Sequence, residues 1–192
     1  MSEDVIGVLL AAGAGSRYGS PKVLAHGGEW LAVAVRALLD GGCTEVLVVL
    51  GAADAVMPAG ARALHAGEWA TGMSASLNVG LAAAGDSAFA VVHVVDTPDV
   101  GADVVRAVLS AARDSASGIA RAVFAGSPGH PVVFAREHWK EVMATSTGDK
   151  GARDFLRARS DVVAVECSEL ATGVDHDYRE SPGPGAEHVE LT

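Results

Sequence analysis

The sequence predicts an α/β fold of three layers, with helices on both faces of a mainly parallel sheet, and three observations carry that expectation. Two runs, Val5-Ile6-Gly7-Val8-Leu9-Leu10 and Phe89-Ala90-Val91-Val92-His93-Val94-Val95, are too continuously apolar for a strand with one wet face and read as strands buried on both. Between and after them, strand-like and helix-like segments alternate, the pattern of right-handed crossover units. Both runs also end directly in polar or glycine-rich residues, so the stretches able to carry chemistry converge on the carboxyl edge of one sheet, where α/β folds bind ligands.

Taken in order, the first strand is followed by Gly13, Gly15 and Gly19, which let the backbone turn its N–H groups inward. Arg17 and Lys22 add a planar fork and a mobile point charge. Such a loop suits a polyphosphate. The three glycines also fit a relaxed dinucleotide-binding fingerprint, but Pro21 interrupts the segment that should be helix, and no acid ends a second strand about 20 residues on to hold a ribose. Residues 30–39 have helical Ala and Leu density and stop at Gly41-Gly42. Residues 45–50 form the second buried strand and 61–65 a short one. A turn-rich stretch from Gly67 leads into a helix over about 74–84, with Ser74 as its expected N-cap. The strand at 89–95 ends in Asp96-Thr97-Pro98-Asp99, and Asp99 is expected to cap a helix over 103–113. Strands at 119–124 and 131–134 flank a turn at 126–130. Helices at 136–145 and 151–159 and a strand at 162–165 complete the pattern. From Ser181 onward Pro, Gly and charged residues leave too little apolar content to order the chain, so residues 1–180 are expected to form one domain and 181–192 a disordered tail.

With 192 residues, 49% of them apolar, the chain can bury a sizeable core. Its 24 acidic residues against 14 basic ones exclude a non-specific nucleic-acid or anionic-membrane partner, so any polyanionic ligand needs a local basic pocket, which Arg17 and Lys22 supply. Cys43 and Cys167 are too few for a disulfide framework and read as buried thiols. The first apolar run is too short for a signal or membrane segment, and a cytoplasmic location is expected by elimination.

Asp96 should emerge rigidly at the sheet edge. Beside a triphosphate it is a Mg²⁺ ligand, and otherwise a turn former. A second acid is wanted, and Val174-Asp175-His176-Asp177 offers two; one histidine among hard oxygens favours Mg²⁺ over zinc. Gly72-Met73-Ser74-Ala75-Ser76 would place N–H groups and hydroxyls at a helix start, either as an anion contact or as plain capping. Trp69 reads equally as core or as a flank for a base. His26, His65, His93, His138 and His188 receive no role, and His93 is expected to be a satisfied interior residue. No serine sits at a nucleophile turn with His and Asp partners.

The stretch Leu10-Ala11-Ala12-Gly13-x-Gly15-Ser16-Arg17-x-Gly19-x-Pro21-Lys22 resembles the opening motif of the MobA-like nucleotidyltransferases, and within them the molybdenum cofactor cytidylyltransferase (MocA-like) branch. That branch carries Ala where Ala12 stands, whereas the guanylyltransferase branch reads Leu-Ala-Gly-Gly. Tyr18 occupies a position where the family has Met. The resemblance covers most of the chain from Val5 to Asp177 and implies a Rossmann-like, glycosyltransferase-A-like domain that transfers a nucleoside monophosphate, CMP from CTP, to the phosphate of a molybdopterin-type acceptor with release of pyrophosphate. It implies Arg17, Lys22 and Asp96 as catalytic residues. It also implies a nucleotide site of Leu10, Ala11, Ala12, Gly13, Gly15, Ser16, Arg17, Lys22, Gly72, Ser74 and Ser76. His130 of Gly-His-Pro-Val and Asp149 of the Gly148-Asp149-Lys150-Gly151 turn would meet the second substrate. Asp96 of Asp-x-Pro, with Asp177 and its neighbour Asp175, would hold Mg²⁺ or Mn²⁺; the family continues with Thr-Pro where this chain has Tyr178-Arg179. The implied partners are the NTP, the acceptor, and transient contact with a molybdoenzyme or its chaperone. Kept open are GTP or another phosphorylated acceptor on the same fold, and a non-catalytic nucleotide-binding or cofactor-delivery module.

Overall fold

In the computed structural model, which describes residues 4–178, the chain runs β1 (Val5–Leu10), α1 (Glu29–Asp40), β2 (Glu45–Leu50), β3 (Ala61–His65), α2 (Met73–Ala82) and β4 (Phe89–Val94). It continues through α3 (Ala102–Asp114), β5 (Ile119–Phe124), β6 (Ser127–Ala135), α4 (Trp139–Thr145), α5 (Arg153–Arg157) and β7 (Val163–Glu166). The expected tail at 181–192 lies outside the described residues. The strands form one sheet in the order β3-β2-β1-β4-β6-β5-β7. Within it β6 runs against its neighbours β4 and β5, and the remaining pairings are parallel. Among the described residues, no helix is long and apolar enough to cross a membrane.

The continuous apolar runs do line two cores. Val5 and Leu9 of β1 pack with α1 and α3 through Leu31, Leu38, Val105 and Leu109. Ile6, Val8 and Leu10 face the opposite layer, with Leu77 and Leu81 of α2, Trp139 of α4 and Phe155 of α5. Period-two alternation sends each strand's side chains to both layers, which is why β1, β2 and β4 tolerate almost no polar residue. Both cysteines are free and buried, and burial pushes the Cys43 thiol up to about 12.

Three local expectations are corrected. The hairpin between β5 and β6 closes over two residues, Ala125-Gly126, both at positive φ (49° and 80°), as strand twist favours. Gly129 and His130 therefore lie within β6 rather than in a turn; Pro128 and Pro131 are accommodated beside the register shift between Arg121 and Val123. Asp99 does not cap α3, whose N-cap is Gly101 without a side-chain bond. Ser74 does not cap α2, which begins after Gly72.

His93 is not a satisfied interior residue. Its ring is fully buried in β4, opposite Leu9 of β1, and among the described residues neither ring nitrogen has a hydrogen-bond partner. Burial pushes its pKa down to about 3; the nearby His130 acts in the same direction and Asp99 weakly opposes it. A histidine neutral in the fold and protonated when unfolded makes stability rise with pH across the window between the two values, about 3 to 6.5. The slope from one such group is about 1.4 kcal/mol per pH unit. His93→Leu is expected to raise the unfolding free energy at pH 7 by about 1–2 kcal/mol, because two unpartnered nitrogens leave the core. It should also flatten the loss of stability between pH 6.5 and 4.5. Urea melts of both proteins across that range check this, and a destabilised variant would show that the packing of the ring outweighs its unpartnered nitrogens.

Candidate active site at the carboxyl edge of the sheet

β1 and β4 are neighbours in the sheet, but the chain leaves β1 toward β2 and β3 and leaves β4 toward the opposite side. This is a topological switch point, and a crevice opens at the carboxyl ends of the two strands. A cavity of about 480 Å³ occupies it. The loop after β1 forms one wall, and Leu10, Ala11, Ala12, Gly13, Gly15, Ser16, Arg17 and Lys22 all line it. Gly15, at φ 61°, is required there, since a Cβ would stand 1.9 Å from the Ser20 carbonyl oxygen. The Gly15 carbonyl in turn accepts the Gly19 N–H at 2.7 Å, closing the loop that presents Arg17 and Lys22.

Lys22 is the centre of the site. Its Nζ donates to Asp96 Oδ2 at 2.7 Å and to Asp177 Oδ1 at 2.9 Å, while Arg17 Nη1 donates to Asp177 Oδ2 at 2.8 Å. Burial works against the Lys22 charge, but the bonds and charges of Asp96 and Asp177 outweigh it and hold its pKa above the ordinary value. The Lys22 bond holds Asp177 below the usual carboxylate range, with further help from Arg17. Asp175 lines the same cavity and is pushed up, first by burial and then by the negative charge of Asp96. The Arg17 side chain is 69% exposed, so its pair with Asp177 is worth at most about 1 kcal/mol and is easily exchanged. The Lys22 side chain is 13% exposed and needs a replacement anion before it can leave its partners.

The segment 172–177 is brought in by Asp99. Asp99 Oδ2 accepts the Thr172 N–H and Oγ1–H, both at 2.6 Å, and the Gly173 N–H at 3.2 Å. Burial opposes its charge, but these bonds hold its pKa below the ordinary value. The His176 N–H then donates to the Asp96 carbonyl at 3.0 Å, placing Asp175 and Asp177 beside the end of β4.

Across the cavity stand Gly72, Ser76, His130 and Asp149. Gly72, at φ 124°, lets the 148–151 turn approach so closely that a Cβ would lie 2.4 Å from the Gly148 carbonyl carbon. Ser74 is the exception among the expected nucleotide contacts: it does not line the cavity, and its buried hydroxyl donates to the Gly148 carbonyl at 2.7 Å. It holds α2 to the turn that carries Asp149. Burial pushes His130 down to about 4, with Arg121 adding to the effect and Asp96 opposing it, so the ring is neutral near pH 7. Trp69 lines the cavity and packs against Gly51, where a Cβ would meet its ring at 2.5 Å. Met73 and Tyr18 also line the cavity, and neither had a sequence signal beyond its place in a motif.

Among the described residues, no group of three or more His, Cys, Asp or Glu side chains is arranged to hold a metal ion. The Asp96 and Asp177 carboxylates nevertheless share one cation, the Lys22 ammonium, and both are hard oxygen donors. Two carboxylates completed by water and phosphate oxygens are the usual protein contribution to Mg²⁺, so this donor set fits Mg²⁺ or Mn²⁺ bound together with a polyphosphate.

Comparison with known proteins bears on the family and the fold. The family profile described as the MobA-like NTP transferase domain matches residues 7–163. A curated relative, nicotine blue oxidoreductase of Paenarthrobacter nicotinovorans, is 37% identical over 187 residues, covering 90% of this chain and 92% of that one. The structure of 2-C-methyl-D-erythritol 4-phosphate cytidylyltransferase from Thermus thermophilus superposes with a TM-score of 0.68 at 25% identity, covering 92% and 94% of the two chains. A nucleotidyl transferase from a Methanothermobacter species shares the fold with a TM-score of 0.76 at 21% identity, covering 92% and 93%.

Asp99→Ala is expected to cost about 1.5–3 kcal/mol of unfolding free energy, the range for hydrogen bonds to a charged group. Its more specific effect is release of 172–177: backbone amide exchange at Thr172, Gly173 and His176 should accelerate while amides of β1 and β4 keep their protection. Equal acceleration throughout would mean that Asp99 supports the whole fold rather than this clasp.

Proposed function

The chain belongs to the MobA-like NTP transferase family, and we propose that it transfers CMP from CTP to the phosphate of a molybdopterin-type acceptor, releasing pyrophosphate. The observation that carries this reading is the Lys22 cluster: two cations from the glycine loop and carboxylates from the end of β4 and from 175–177 meet in one cavity at the switch point. In the reaction an acceptor phosphate oxygen attacks the α-phosphorus, the bond to the bridging oxygen of the β-phosphate breaks, and its electron pair leaves on pyrophosphate. The protein's work is alignment and charge neutralisation. Arg17 exchanges Asp177 for the phosphates at little cost, and Lys22 follows as the triphosphate supplies new anionic partners. Asp96 and Asp177, with Asp175 beside them, would hold Mg²⁺ or Mn²⁺, whose contribution is to draw negative charge from the phosphates. The loop N–H groups, Gly72 and Ser76 contact the nucleotide, and Trp69 flanks the base. His130, neutral at working pH, and Asp149 meet the phosphate end of the acceptor. Ala12 supports the choice of CTP, because its methyl group on the cavity wall narrows the room for a purine; the cytidylyltransferase name of the Thermus neighbour points the same way.

A second reading comes from the 37% identical relative named an oxidoreductase. It would place a dinucleotide pyrophosphate on the glycine loop. Two features favour nucleotidyl transfer over it. After the loop, Lys22–Gly28 is a short 3₁₀ turn with non-helical Ala25, His26 and Gly27, rather than the start of a helix aimed at the ligand. β2 ends at Leu50 and runs into Gly51-Ala52-Ala53, without an acid where a ribose would need one.

Pyrophosphate release from each of the four NTPs, with and without molybdopterin and in parallel with NADH and NADPH oxidation, separates the readings. CTP with Mg²⁺ and the acceptor should give turnover; reduced-nicotinamide oxidation without pyrophosphate release would replace the transferase reading with the oxidoreductase one. Lys22→Ala should lower kcat/KM about 100-fold or more, the scale for loss of a preorganised charge donor, with an unchanged circular dichroism spectrum. Wild-type turnover at saturating CTP would remove Lys22 from the machinery. The kcat/KM preference for CTP over GTP should exceed about tenfold and should narrow in Ala12→Gly, since steric rejection discriminates more strongly than one methyl-sized contact, which is worth about 1–3 kcal/mol.

A further inference from the structure

The face of the sheet beneath α4 and α5 carries an apolar row, in which Ile119 of β5 and Val132 and Phe134 of β6 pack with Trp139, Phe155 and Leu156. Arg121 belongs to the same row. It follows Ile119 by two residues and stands opposite Val132 in the ladder, so its side chain leaves the same face. The residue is half-buried there, and its Nε is buried without a hydrogen-bond partner. No described carboxylate acts on the guanidinium: burial and then the positive charge of Arg153 both push its pKa down. Arg153, exposed at the start of α5, has no ion pair among the described residues either, and the acid next to it, Asp154, is taken by Lys150 at 3.0 Å. Elsewhere the acidic surface supplies partners: Arg62, Arg106, Arg136 and Arg159 each meet a carboxylate oxygen at 2.5 to 3.1 Å. A side chain that needed only water could snorkel away from both burial and a like charge. Two arginines kept together, one of them partly desolvated, cost free energy unless an anion joins them.

The strand order β4-β6-β5 places this pair relative to the Lys22 cluster. Asp96 follows β4, His130 lies on β6 and Arg121 on β5, and His130 feels the charges of both Asp96 and Arg121. Asp149, which shares the cavity wall with His130, begins the turn that leads to Arg153. Two guanidinium forks from different elements offer more N–H donors than a planar carboxylate can accept, and their two charges match a dianion. We propose that Arg121 and Arg153 form a second anion site, on the far side of His130 from Lys22, that takes a tetrahedral dianionic oxyanion. In the proposed reaction the transferred phosphorus stays at the Lys22 end, so the group held here does not react. It is a free oxyanion, or a further anionic group on the molecule that meets His130 and Asp149. The site goes beyond the proposed function and does not depend on which nucleotide the first cavity takes.

Isothermal titration of the full chain with inorganic phosphate, at constant ionic strength, tests the assignment. Lys22→Ala serves as the parent protein, so that binding at the first cation cluster is weakened. Phosphate should still bind it. Adding Arg153→Gln, an exposed change away from the core, should weaken that binding about tenfold or more, as loss of hydrogen bonds between charged groups predicts. Arg121→Gln should do the same, and Arg121→Lys should recover only part of the affinity, because an ammonium lacks the fork. Should Arg121→Gln fail to fold, Arg153→Gln decides alone. Glycerol 3-phosphate in parallel distinguishes the sources: both ligands should respond to Arg153→Gln, with the organic phosphate the tighter if the group is carried on a larger molecule and inorganic phosphate the tighter if the ion is free. Loss of all phosphate binding in Lys22→Ala, or equal phosphate affinity with and without Arg153, overturns the proposal. If phosphate binding responds as expected while no NTP yields pyrophosphate, the transferase reading fails and the second anion site stands.

Discussion

The ammonium of Lys22 joins three parts of the chain that are far apart in sequence. One partner, Asp96, lies 74 residues away, and the other, Asp177, lies 155 residues away. The glycine loop presents the cation, β4 fixes the first carboxylate, and the Asp99 clasp delivers the second. Lys22, whose side chain is 13% exposed, could not be left there alone, because an unpaired and largely desolvated charge costs several kcal/mol. Their mutual neutralisation is what lets a charged crevice persist at the end of an apolar sheet. It also makes the site selective, because a ligand must replace the carboxylates for the lysine or the lysine for the carboxylates. In the proposed reaction a polyphosphate bound with a divalent cation would do both at once.

The two sides of the Asp175–Tyr178 stretch show how an extended backbone can serve two chemistries. Alternation gives Asp175 and Asp177 to the cavity that holds Arg17 and Lys22, and gives His176 and Tyr178 to the neighbouring one. The family likeness extends to proteins that carry both transferase and oxidoreductase names.

Much of this was legible in the sequence because it depends on local regularity. The apolar runs at β1, β2 and β4 announced a doubly covered sheet, and the turn to polar residues after Leu10 and Val95 announced the edge where the site lies. Placement of the glycine loop, Asp96, His130, Asp149 and the two late acids around one cavity followed from motif and topology together. The misreadings came where a long-range partner overrode a local preference. Ser74 and Asp99 are good cap residues by type, but Gly148 and the Thr172-Gly173 backbone claim them. His93 occupies a strand interior without hydrogen-bond partners, a fact that no spacing encodes. The aromatic cluster is invisible to a reading of the sequence because Tyr18, His26, Trp30 and His176 share no periodicity and meet only through the fold.

The Asp99 clasp bears on the order in which the site is assembled during synthesis. Domains begin to fold from the N-terminal side as the chain emerges from the ribosome, and here β1, its glycine loop, β2, β3 and β4 all precede the second half of the sheet. Until residues 172–177 emerge and dock on Asp99, Lys22 has only Asp96 as a carboxylate partner and Arg17 lacks Asp177. The nascent chain can thus build a sheet and its glycine loop before the site is complete, so a stalled or shortened polypeptide would be folded in part but would lack the carboxylates of 175–177 beside Lys22.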